Sequence, residues 1–483
     1  MNPGAAATFA IDPDQITTAT PQTLWIELTS KCPFDCVFCT RRVRFGAGTH
    51  LDFDVYKRLI GELQSPDFIG LNYSGESIHY PRLLEAIRLA AGTGASTELV
   101  TAFSTVSRPV LEGIVESGLD RLAVSLHTMD SRQYDRIYRF GSLDLLKRRI
   151  DEFLELRSRR GAKKPRLDFC FVAMNENLDQ LQPVAEYAHQ LGIAEISVHP
   201  IIGRHLVPHD FSRELSSNRL TDEFKEALRR TVGGVQAAFP GFAVNVLNPD
   251  LDPNPRLSHT PAYYAPPLPA HARIYSCDQS PFETVHVLAS GAVVVCEVHD
   301  EVPLGNLHQQ SLGEIWHGDA YREFRRRYAA GTVAGCRMCV WKFAYVPEKW
   351  SSSIVVADGI SPQLLRGWHA HEGQGILWSR KQALLALSNP HGGTRVRIAG
   401  ILPRGPEGRM NSVTVSCNRV PIGEIRNETR EFMSFDTTLR LPEPLENVWL
   451  SFSVAHTHRP SLHGSSGDSR DLGVGLERIG VCA

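Results

Sequence analysis

The stretch TLWIELTSKCPFDCVFC, residues 23–39, joins an apolar run to three closely spaced cysteines. Its first half is typical of a β-strand, and the cysteines follow with the spacing Cys-x3-Cys-x2-Cys. In α/β proteins, binding loops lie at the carboxyl ends of the strands, so Cys32, Cys36 and Cys39 stand where a site is expected. The stretch therefore predicts an α/β fold whose first loop carries a group of thiolates.

Five further runs of this kind follow, separated by stretches with helical periodicity. The predicted strands cover residues 23–30, 69–76, 96–103, 121–128, 166–173 and 194–201. Strands that alternate with helices form a parallel sheet, and apolar residues on both strand faces indicate burial on both sides. Periodicity alone leaves two architectures open, a six-unit partial (β/α)6 barrel and a doubly wound sheet.

Changes in composition divide the rest of the chain. An N-terminal tail (1–20) precedes the α/β domain (21–205), and a Pro-rich stretch predicts an irregular connecting region (206–275). A second cysteine group occupies a small α+β domain (276–350). The last region (363–483) contains short β-prone runs separated by turns, which predicts an antiparallel β-sandwich.

Composition argues against several classes of protein. The 483 residues carry a net charge of −2, so we expect no nucleic acid partner. The N-terminus lacks the pattern of a signal peptide. The sequence contains no run of about 18 apolar residues, so we expect no membrane span. Seven of the ten cysteines are grouped, which in a reducing compartment favours metal binding over disulfides. The expected location is the cytoplasm.

Three thiolates are one ligand short of the usual four in structural zinc sites and iron–sulfur clusters. A 4Fe–4S cluster on three thiolates leaves one iron open to an external ligand. The alternative is a zinc site with its fourth ligand elsewhere, for which His50 is a candidate. Both interpretations place a metal group on Cys32, Cys36 and Cys39.

The segment CPFDCVFC resembles the signature of the radical S-adenosylmethionine (SAM) superfamily, in which an aromatic residue precedes the last cysteine, as Phe38 does here. The resemblance implies a partial TIM-type barrel and a 4Fe–4S cluster on Cys32, Cys36 and Cys39. It also implies that SAM chelates the open iron and that one electron cleaves SAM to methionine and a 5′-deoxyadenosyl radical. By the same resemblance, Phe38 lies near the adenine, and a protein such as flavodoxin or ferredoxin supplies the electron.

A second landmark follows the second predicted strand. The segment YSGES, residues 73–77, resembles the family's Gly-Gly-Glu-Pro motif, which binds the methionine ammonium group. Gly75 and Glu76 match the motif, whereas Ser74 and Ser77 replace its first glycine and its proline. Without the resemblance, these residues would be interpreted as a turn beside a solvated acid.

Two more strand ends carry candidate residues. Ser125 matches a serine that contacts SAM in the family, and His127 stands where the family has an acid. His127 is predicted either to face the substrate as a catalytic residue or to pack at the strand end. Asn175 and Asn177 resemble an asparagine region near SAM, and the alternative is that they cap the next helix.

The second cysteine group consists of Cys277, Cys296, Cys336 and Cys339. Gly291 precedes its second cysteine by five positions, and the segment GNLHQQSLGEIW (305–316) follows. The pattern resembles the SPASM/twitch extension of radical SAM enzymes, without the further cysteines of a full SPASM domain. The resemblance implies one fully ligated auxiliary 4Fe–4S cluster that accepts or relays an electron or shapes the pocket. A four-cysteine zinc site is the alternative.

The C-terminal region resembles a β-sandwich module of bacterial glycosyltransferase and polysaccharide-assembly proteins, through residues 367–368, 468–470 and 472–473. This resemblance implies a carbohydrate setting. The leading hypothesis is therefore a radical SAM enzyme that removes a hydrogen atom from a sugar or aminocyclitol, its small-molecule partner. Oxidation, epimerisation and dehydration stay open as outcomes.

Cys170, in the fifth predicted strand, lies outside both cysteine groups. It is predicted to donate a hydrogen atom to a substrate radical, and the alternative is a buried apolar cysteine. Two rival functions stay open for the whole chain. One is a maturase of ribosomally made peptides. An N-terminal peptide-recognition domain would favour this function, but the first 22 residues are too few to form one. The other is a non-catalytic carbohydrate-associated scaffold.

Overall fold

A computed structural model describes most of the chain. The described residues are 11–39, 41, 45–200, 222–246, 271–277, 279–297, 302–339, 342–345, 350–359, 361, 363–369, 375–405, 409–443, 445–460 and 470–483. The chain divides into two compact units. The barrel unit comprises residues 18–253 and 279–323, and the C-terminal unit comprises 1–17, 254–278 and 324–483.

Seven parallel strands follow one another in chain order across the sheet of the barrel unit. They are β1 (Thr23–Ile26), β2 (Phe68–Gly70), β3 (Ser96–Thr101), β4 (Arg121–Ser125), β5 (Arg166–Ala173), β6 (Glu195–Pro200) and β7 (Ala243–Val246). The six predicted strands and the partial-barrel α/β fold are confirmed. The prediction that 206–275 is irregular is wrong for 222–246, because a helix there buries Leu228 and Val232 and β7 then pairs with β6.

Helices with apolar stripes cover the outer face of this sheet. After α1 (Pro13–Ile16), which belongs to the C-terminal unit, they are α2 (Phe53–Gly61), α3 (Leu83–Gly92), α4 (Arg108–Glu116), α5 (Ser131–Tyr138), α6 (Leu143–Arg159), α7 (Leu181–Gln190) and α8 (Asp222–Ala238). Local sequence sets their ends. The Ser142 hydroxyl accepts the Leu145 N–H at the start of α6, and Gly118 follows α4 with a φ of +87° that favours glycine.

The cysteine-rich region predicted as one domain, 276–350, is divided between the units. Strand β8 (Arg273–Cys277) belongs to the C-terminal unit. The following elements lie in the barrel unit: β9 (Thr284–Val287), β10 (Ala292–Val294), β11 (Gly305–Asn306) and α9 (Leu312–Trp316). Strand β9 forms parallel hydrogen bonds along the free edge of β1 and so extends the barrel sheet, and the domain bounds 276–350 stay a prediction.

The C-terminal unit contains a two-stranded pair and a large antiparallel sheet. The helix α10 (Asp319–Ala329) leads into it, followed by α11 (Ala334–Met338) and β12 (Lys342–Tyr345), which pairs with β8. The large sheet contains β13 (Ser353–Val355), β14 (Leu364–Trp368), β15 (Leu377–Ser388), β16 (Arg395–Leu402), β17 (Asn411–Cys417), β18 (Val420–Asn427), β19 (Met433–Arg440), β20 (Asn447–Val454) and β21 (Gly475–Cys482).

This large sheet curves until its two end strands approach each other. Gly423 on β18 lies so close to the Leu439 side chain on β19 that a Cβ at position 423 would be 2.7 Å from it. The antiparallel C-terminal β-domain is thereby confirmed, as a nearly closed sheet around one apolar core. Its first strand pairs Ser353 with Gly480, so the domain begins before the predicted boundary at 363.

A buried ion network crosses the strand face of the barrel that the helices do not cover. Arg121 on β4 bonds to Glu98 on β3, donates to the Asp168 carboxylate on β5 at 2.6 Å, and donates to the Ser197 hydroxyl on β6 at 3.0 Å. Asp168 also accepts from Arg166 at 2.8 Å. One guanidinium thus ties four adjacent strands of an incomplete barrel together.

We expect Arg121→Met to lower the free energy of unfolding by about 3–5 kcal/mol, because buried Glu98 loses its guanidinium partner and buried Asp168 keeps only the half-exposed Arg166. Denaturant titration followed by circular dichroism measures the change. Arg159→Met is the control, since Arg159 forms only an exposed pair with Glu155 and its loss should cost at most about 0.5 kcal/mol. A loss of less than about 1 kcal/mol in Arg121→Met would show that the network does not brace the sheet.

Candidate active site

The residues between the first cysteines fix the loop that carries them. The backbone N–H groups of Asp35 and Val37 donate to carbonyls in the last turn of α5, at 3.3 and 3.0 Å. The Phe34 ring meets the Tyr138 ring edge-on at 6.0 Å, and Asp35 pairs with Arg139 at 3.1 Å. The cysteine loop is therefore held by α5 through residues other than the cysteines.

Two of the three cysteines of this loop, Cys32 and Cys36, are partly shielded from water, and Cys39 is exposed. The Cys39 N–H donates to the Cys36 carbonyl at 3.0 Å. Burial, with a smaller contribution from the neighbouring thiols, raises the pKa of Cys32 to about 12 and that of Cys36 well above its ordinary value. Crowded, desolvated thiolates need positive charge beside them, so this donor set fits an iron–sulfur cluster.

In the described part of the chain, no three Cys, His, Asp or Glu side chains are close enough to share a single metal ion. The ligands of a 4Fe–4S cube do not converge in this way, because each thiolate binds a different iron. The wider spacing of Cys32, Cys36 and Cys39 is therefore compatible with a cluster.

The YSGES motif packs directly on the backbone that leads into the cysteine loop. A Cβ at Gly75 would lie 2.0 Å from the carbonyl oxygen of Thr29 and 2.8 Å from that of Lys31. The Glu76 N–H donates to the same Lys31 carbonyl at 2.9 Å. Only glycine fits at position 75, and the two motifs are in direct contact because of it.

The two serines that depart from the family motif have partners inside the barrel unit. The Ser74 hydroxyl donates to the Glu27 carboxylate, whose other oxygen accepts the Ala289 N–H at 2.9 Å. The Ser77 hydroxyl donates to the Leu71 carbonyl at 2.7 Å. Glu27 is a residue that the sequence did not single out, and its burial raises its pKa. The substitutions thus add contacts that hold the motif loop in place.

Glu76 turns its carboxylate back onto the backbone around it. One oxygen accepts the Ile78 N–H at 3.4 Å, and the other accepts the Ala102 N–H at 2.8 Å. Burial raises the pKa of Glu76 to about 7, although these hydrogen bonds favour the charged form. The carboxyl group therefore changes its charge near neutral pH, next to the first cysteine loop.

His127 lies in an aromatic stack after β4. Its Nδ1 accepts the Val172 N–H at 3.1 Å, its ring stacks on Tyr138 at 5.3 Å, and the Phe38 ring meets it edge-on at 5.2 Å. Burial lowers the pKa of His127 to about 3, so the ring is neutral. This geometry favours packing over catalysis and makes His127 the support of Phe38.

The other predicted SAM contacts differ in their surroundings. Ser125 is half-buried at the end of β4, and its carbonyl accepts the Tyr138 hydroxyl at 2.7 Å. Asn175 is exposed, whereas Asn177 is buried. The Asn177 amide donates to carbonyls of His127 and Val172, at 2.9 and 3.0 Å. Asn177 therefore ties the loops after β4 and β5 together.

Cys170 lies in the middle of β5, in register with Ser125 on one side and Ser197 on the other. It shares a strand face with Asp168, two positions earlier, and so faces away from the helices. Burial raises the pKa of the Cys170 thiol to about 12, so the thiol keeps its proton at neutral pH. On β6, burial lowers the pKa of His199 to about 4, so that imidazole is uncharged.

Three cysteines of the second group meet in the C-terminal unit. Cys277 ends β8, and the Cys339 N–H donates to the Cys336 carbonyl at 3.2 Å at the end of α11. Burial first, and then these three thiols, raises the pKa of the buried Tyr328 hydroxyl well above the ordinary value. Cys296 is buried after β10 in the barrel unit. The three thiols fit one side of a cluster site.

Sequence comparison assigns these regions to known domains. The radical SAM superfamily matches residues 26–188, and the iron–sulfur cluster-binding SPASM domain matches residues 277–340. The protein is therefore a radical SAM enzyme with a SPASM domain, and it uses SAM and two 4Fe–4S clusters. In the described residues, no helix is both long and apolar enough to cross a lipid bilayer.

Individual relatives match most of both domains. The PqqA peptide cyclase of Ruegeria pomeroyi is 25% identical over 320 residues, 64% of this chain and 78% of the relative. The tungsten-containing aldehyde ferredoxin oxidoreductase cofactor-modifying protein of Pyrococcus furiosus is 20% identical over 322 residues, 62% of this chain and 82% of the relative. The structure of Streptococcus suis SuiB bound to precursor peptide SuiA aligns with a TM-score of 0.49 and 14% identity, over 68% of this chain and 72% of that one.

The predictions of a carbohydrate or aminocyclitol substrate and of a sugar-like partner are wrong. Relatives from several organisms that match about three fifths of the chain are PqqA peptide cyclases. Both predictions depend on the resemblance of the C-terminal region alone. The matched domains end at residue 340, so the likeness of 363–483 to a glycosyltransferase-associated module stays a prediction.

We expect Gly75→Ala to weaken SAM binding at least about tenfold, because the added Cβ pushes the motif loop off the Thr29 carbonyl. Equilibrium binding of SAM to the anaerobically reconstituted protein measures this. Gly61→Ala is the control, since Gly61 has open space around the position of a Cβ. Equal affinities in the two variants would contradict the contact between the motifs.

SAM binding should also weaken as the pH falls through about 7, the pKa of Glu76. The charged carboxylate attracts an ammonium group, and this form is lost below that pH. Between pH 7.5 and pH 6 we expect a loss of roughly fivefold to tenfold, measured as the dissociation constant. Glu76→Gln should bind SAM weakly, with a dissociation constant that does not change with pH. If its dissociation constant changes with pH as steeply as that of the unsubstituted protein, the titrating group is not Glu76.

Proposed function

We propose that the protein is a radical SAM maturase that modifies a ribosomally made peptide. The observation that carries this proposal is the alignment with PqqA peptide cyclases, which extends over most of the barrel and SPASM regions. The radical generated from bound SAM would remove a hydrogen atom from a C–H bond of the peptide. The C-terminal β-domain would not take part in that step.

In this proposal the strand ends of the barrel hold the cofactor. Cys32, Cys36 and Cys39 bind the first cluster, and Glu76 receives the SAM ammonium group beside the backbone of Gly75. The support for this assignment is the direct packing of the motif loop on the cysteine loop. The remaining contacts line the nucleoside side of the site and are made by Phe38, Ser125 and Asn175.

The auxiliary cluster is assigned to the second cysteine group. Its proposed ligands are Cys277, Cys296, Cys336 and Cys339. The gathering of three of these thiols around Tyr328 supports the assignment. With four thiolates the cluster has no open iron, so its role is electron transfer or shaping of the pocket.

Cys170 is proposed as the donor of a hydrogen atom to the peptide radical. Its S–H bond would break, a C–H bond would form and a thiyl radical would remain; one electron from a flavodoxin or ferredoxin and one proton from solvent would then restore the thiol. The protonated state of Cys170 on the face away from the helices supports this role. The proposed outcome for the peptide is then epimerisation rather than net oxidation.

Anaerobic incubation with SAM, dithionite and candidate substrates tests the function. The substrates are a panel of short peptides deuterated at the side chains and α-carbons, with nucleotide and sugar panels for comparison. Deuterium in 5′-deoxyadenosine together with a changed peptide supports the proposal. Deuterium transfer only from a nucleotide or another small molecule overturns the peptide assignment.

We expect Cys170→Ala to keep hydrogen abstraction and to lose formation of the epimerised peptide, because only the second transfer uses the thiol. Mass spectrometry in D2O separates the two steps, since a restored C–H bond acquires solvent deuterium from the thiol. Cys417→Ala is the matched control, because Cys417 is a buried cysteine of β17 in the C-terminal unit. Full turnover with solvent deuterium in Cys170→Ala would remove Cys170 from the mechanism.

A further inference from the structure

A buried lysine lies beside the second cysteine group. Lys342 is the first residue of β12, and its side chain is only 1% exposed. Its ammonium group donates to the carbonyl of Cys339 at 2.8 Å. A lysine is rarely buried to this extent, since removing an ammonium group from water costs several kcal/mol unless negative charge is close.

The strand pairing directs Lys342 toward a second cysteine. In the antiparallel pair of β8 and β12, Lys342 stands directly opposite Cys277. Residues opposite each other in an antiparallel pair have their side chains on the same face, with Cβ atoms about 5 Å apart. The lysine thus shares a face with one cysteine and bonds to the backbone of another.

Tyr328 approaches the same cysteines from α10. Its hydroxyl is fully buried, and burial first, followed by the thiols of Cys277, Cys336 and Cys339, raises its pKa well above the ordinary value. Two arginines hydrogen-bond to the loop after α10. Arg273 on β8 donates to the Ala330 carbonyl at 3.2 Å, and Arg337 on α11 donates to the Gly331 carbonyl at 2.8 Å. These bonds hold the helix that carries Tyr328 against the strand that carries Cys277.

We infer that Lys342 and Tyr328 tune the auxiliary cluster, with the ammonium and hydroxyl groups stabilising its more negative, reduced state. A 4Fe–4S cluster with four thiolates carries a net negative charge that increases by one on reduction. Positive charge and hydrogen bonds to sulfur are two of the means by which a protein raises the reduction potential of a cluster. A raised potential makes the auxiliary cluster a better electron acceptor. This inference rests on the assignment of the cluster ligands and not on the identity of the substrate.

The test isolates the auxiliary cluster in the full chain. Replacing Cys32, Cys36 and Cys39 with Ala removes the first cluster, so that about four irons and one EPR signal remain. In this background, Lys342→Met should lower the reduction potential by at least ~59 mV, equal to a tenfold loss in the one-electron equilibrium. Tyr328→Phe should shift it in the same direction by a smaller amount.

Two controls separate charge from packing. Lys381→Met removes an exposed lysine of β15, and Tyr321→Phe removes a buried hydroxyl that donates to the Thr284 carbonyl. Both should leave the potential unchanged. An unchanged potential in cluster-containing Lys342→Met overturns the inference.

If Lys342→Met loses its iron, Lys342→Arg decides the question. If Lys342→Arg restores both the iron content and the reduction potential, the role of positive charge is supported. An iron-free Lys342→Arg shows that the lysine is needed for the local fold and overturns the inference. None of these measurements needs a substrate, so they stand apart from the test of peptide modification.

Discussion

The close approach of Gly75 to the backbone of Thr29 is the contact on which the rest of the site depends. It brings the loop after β2 onto the loop after β1, so that a carboxylate motif and a cysteine motif from different strands form one surface. Side chains around the contact then fix both loops. Ser74 holds the loop after β2 through its hydrogen bond to Glu27, and Asp35 holds the loop after β1 through its contact with the end of α5. A site built on strand ends gains its precision from such packing.

Local sequence predicted the parts of this arrangement that depend on local chemistry. The six parallel strands, the helix that ends before Gly118 and the cysteine loop after β1 all follow from periodicity and turn residues. Pairing between distant segments was not predictable in the same way. Strand β9 pairs with β1, which lies more than 250 positions earlier in the chain. The sequence of β9, TVHV, contains no pattern that predicts which sheet edge it pairs with.

The buried polar residues were also hidden from the sequence. Glu27 and Lys342 look like ordinary members of a strand or loop until their neighbours are known. Each is buried with hydrogen bonds to backbone groups that lie elsewhere in the fold, as buried polar groups require. The prediction of a carbohydrate substrate is wrong for another reason. The C-terminal region resembles a glycosyltransferase-associated module in only a few residues, and the role of that region does not determine the chemistry of the barrel.

The two cysteine groups are placed in different electrostatic surroundings, and the difference matches their proposed tasks. The first group leaves Cys39 exposed and has Arg41 nearby, whose charge favours the Cys32 thiolate. A cluster there is open on one side, as binding of SAM requires. In the second group, Cys296 and Cys336 are buried, and an ammonium and a phenol face the cysteines of the C-terminal unit. A closed cluster with compensated charge is suited to holding an electron, because reduction adds negative charge where positive charge is already in place.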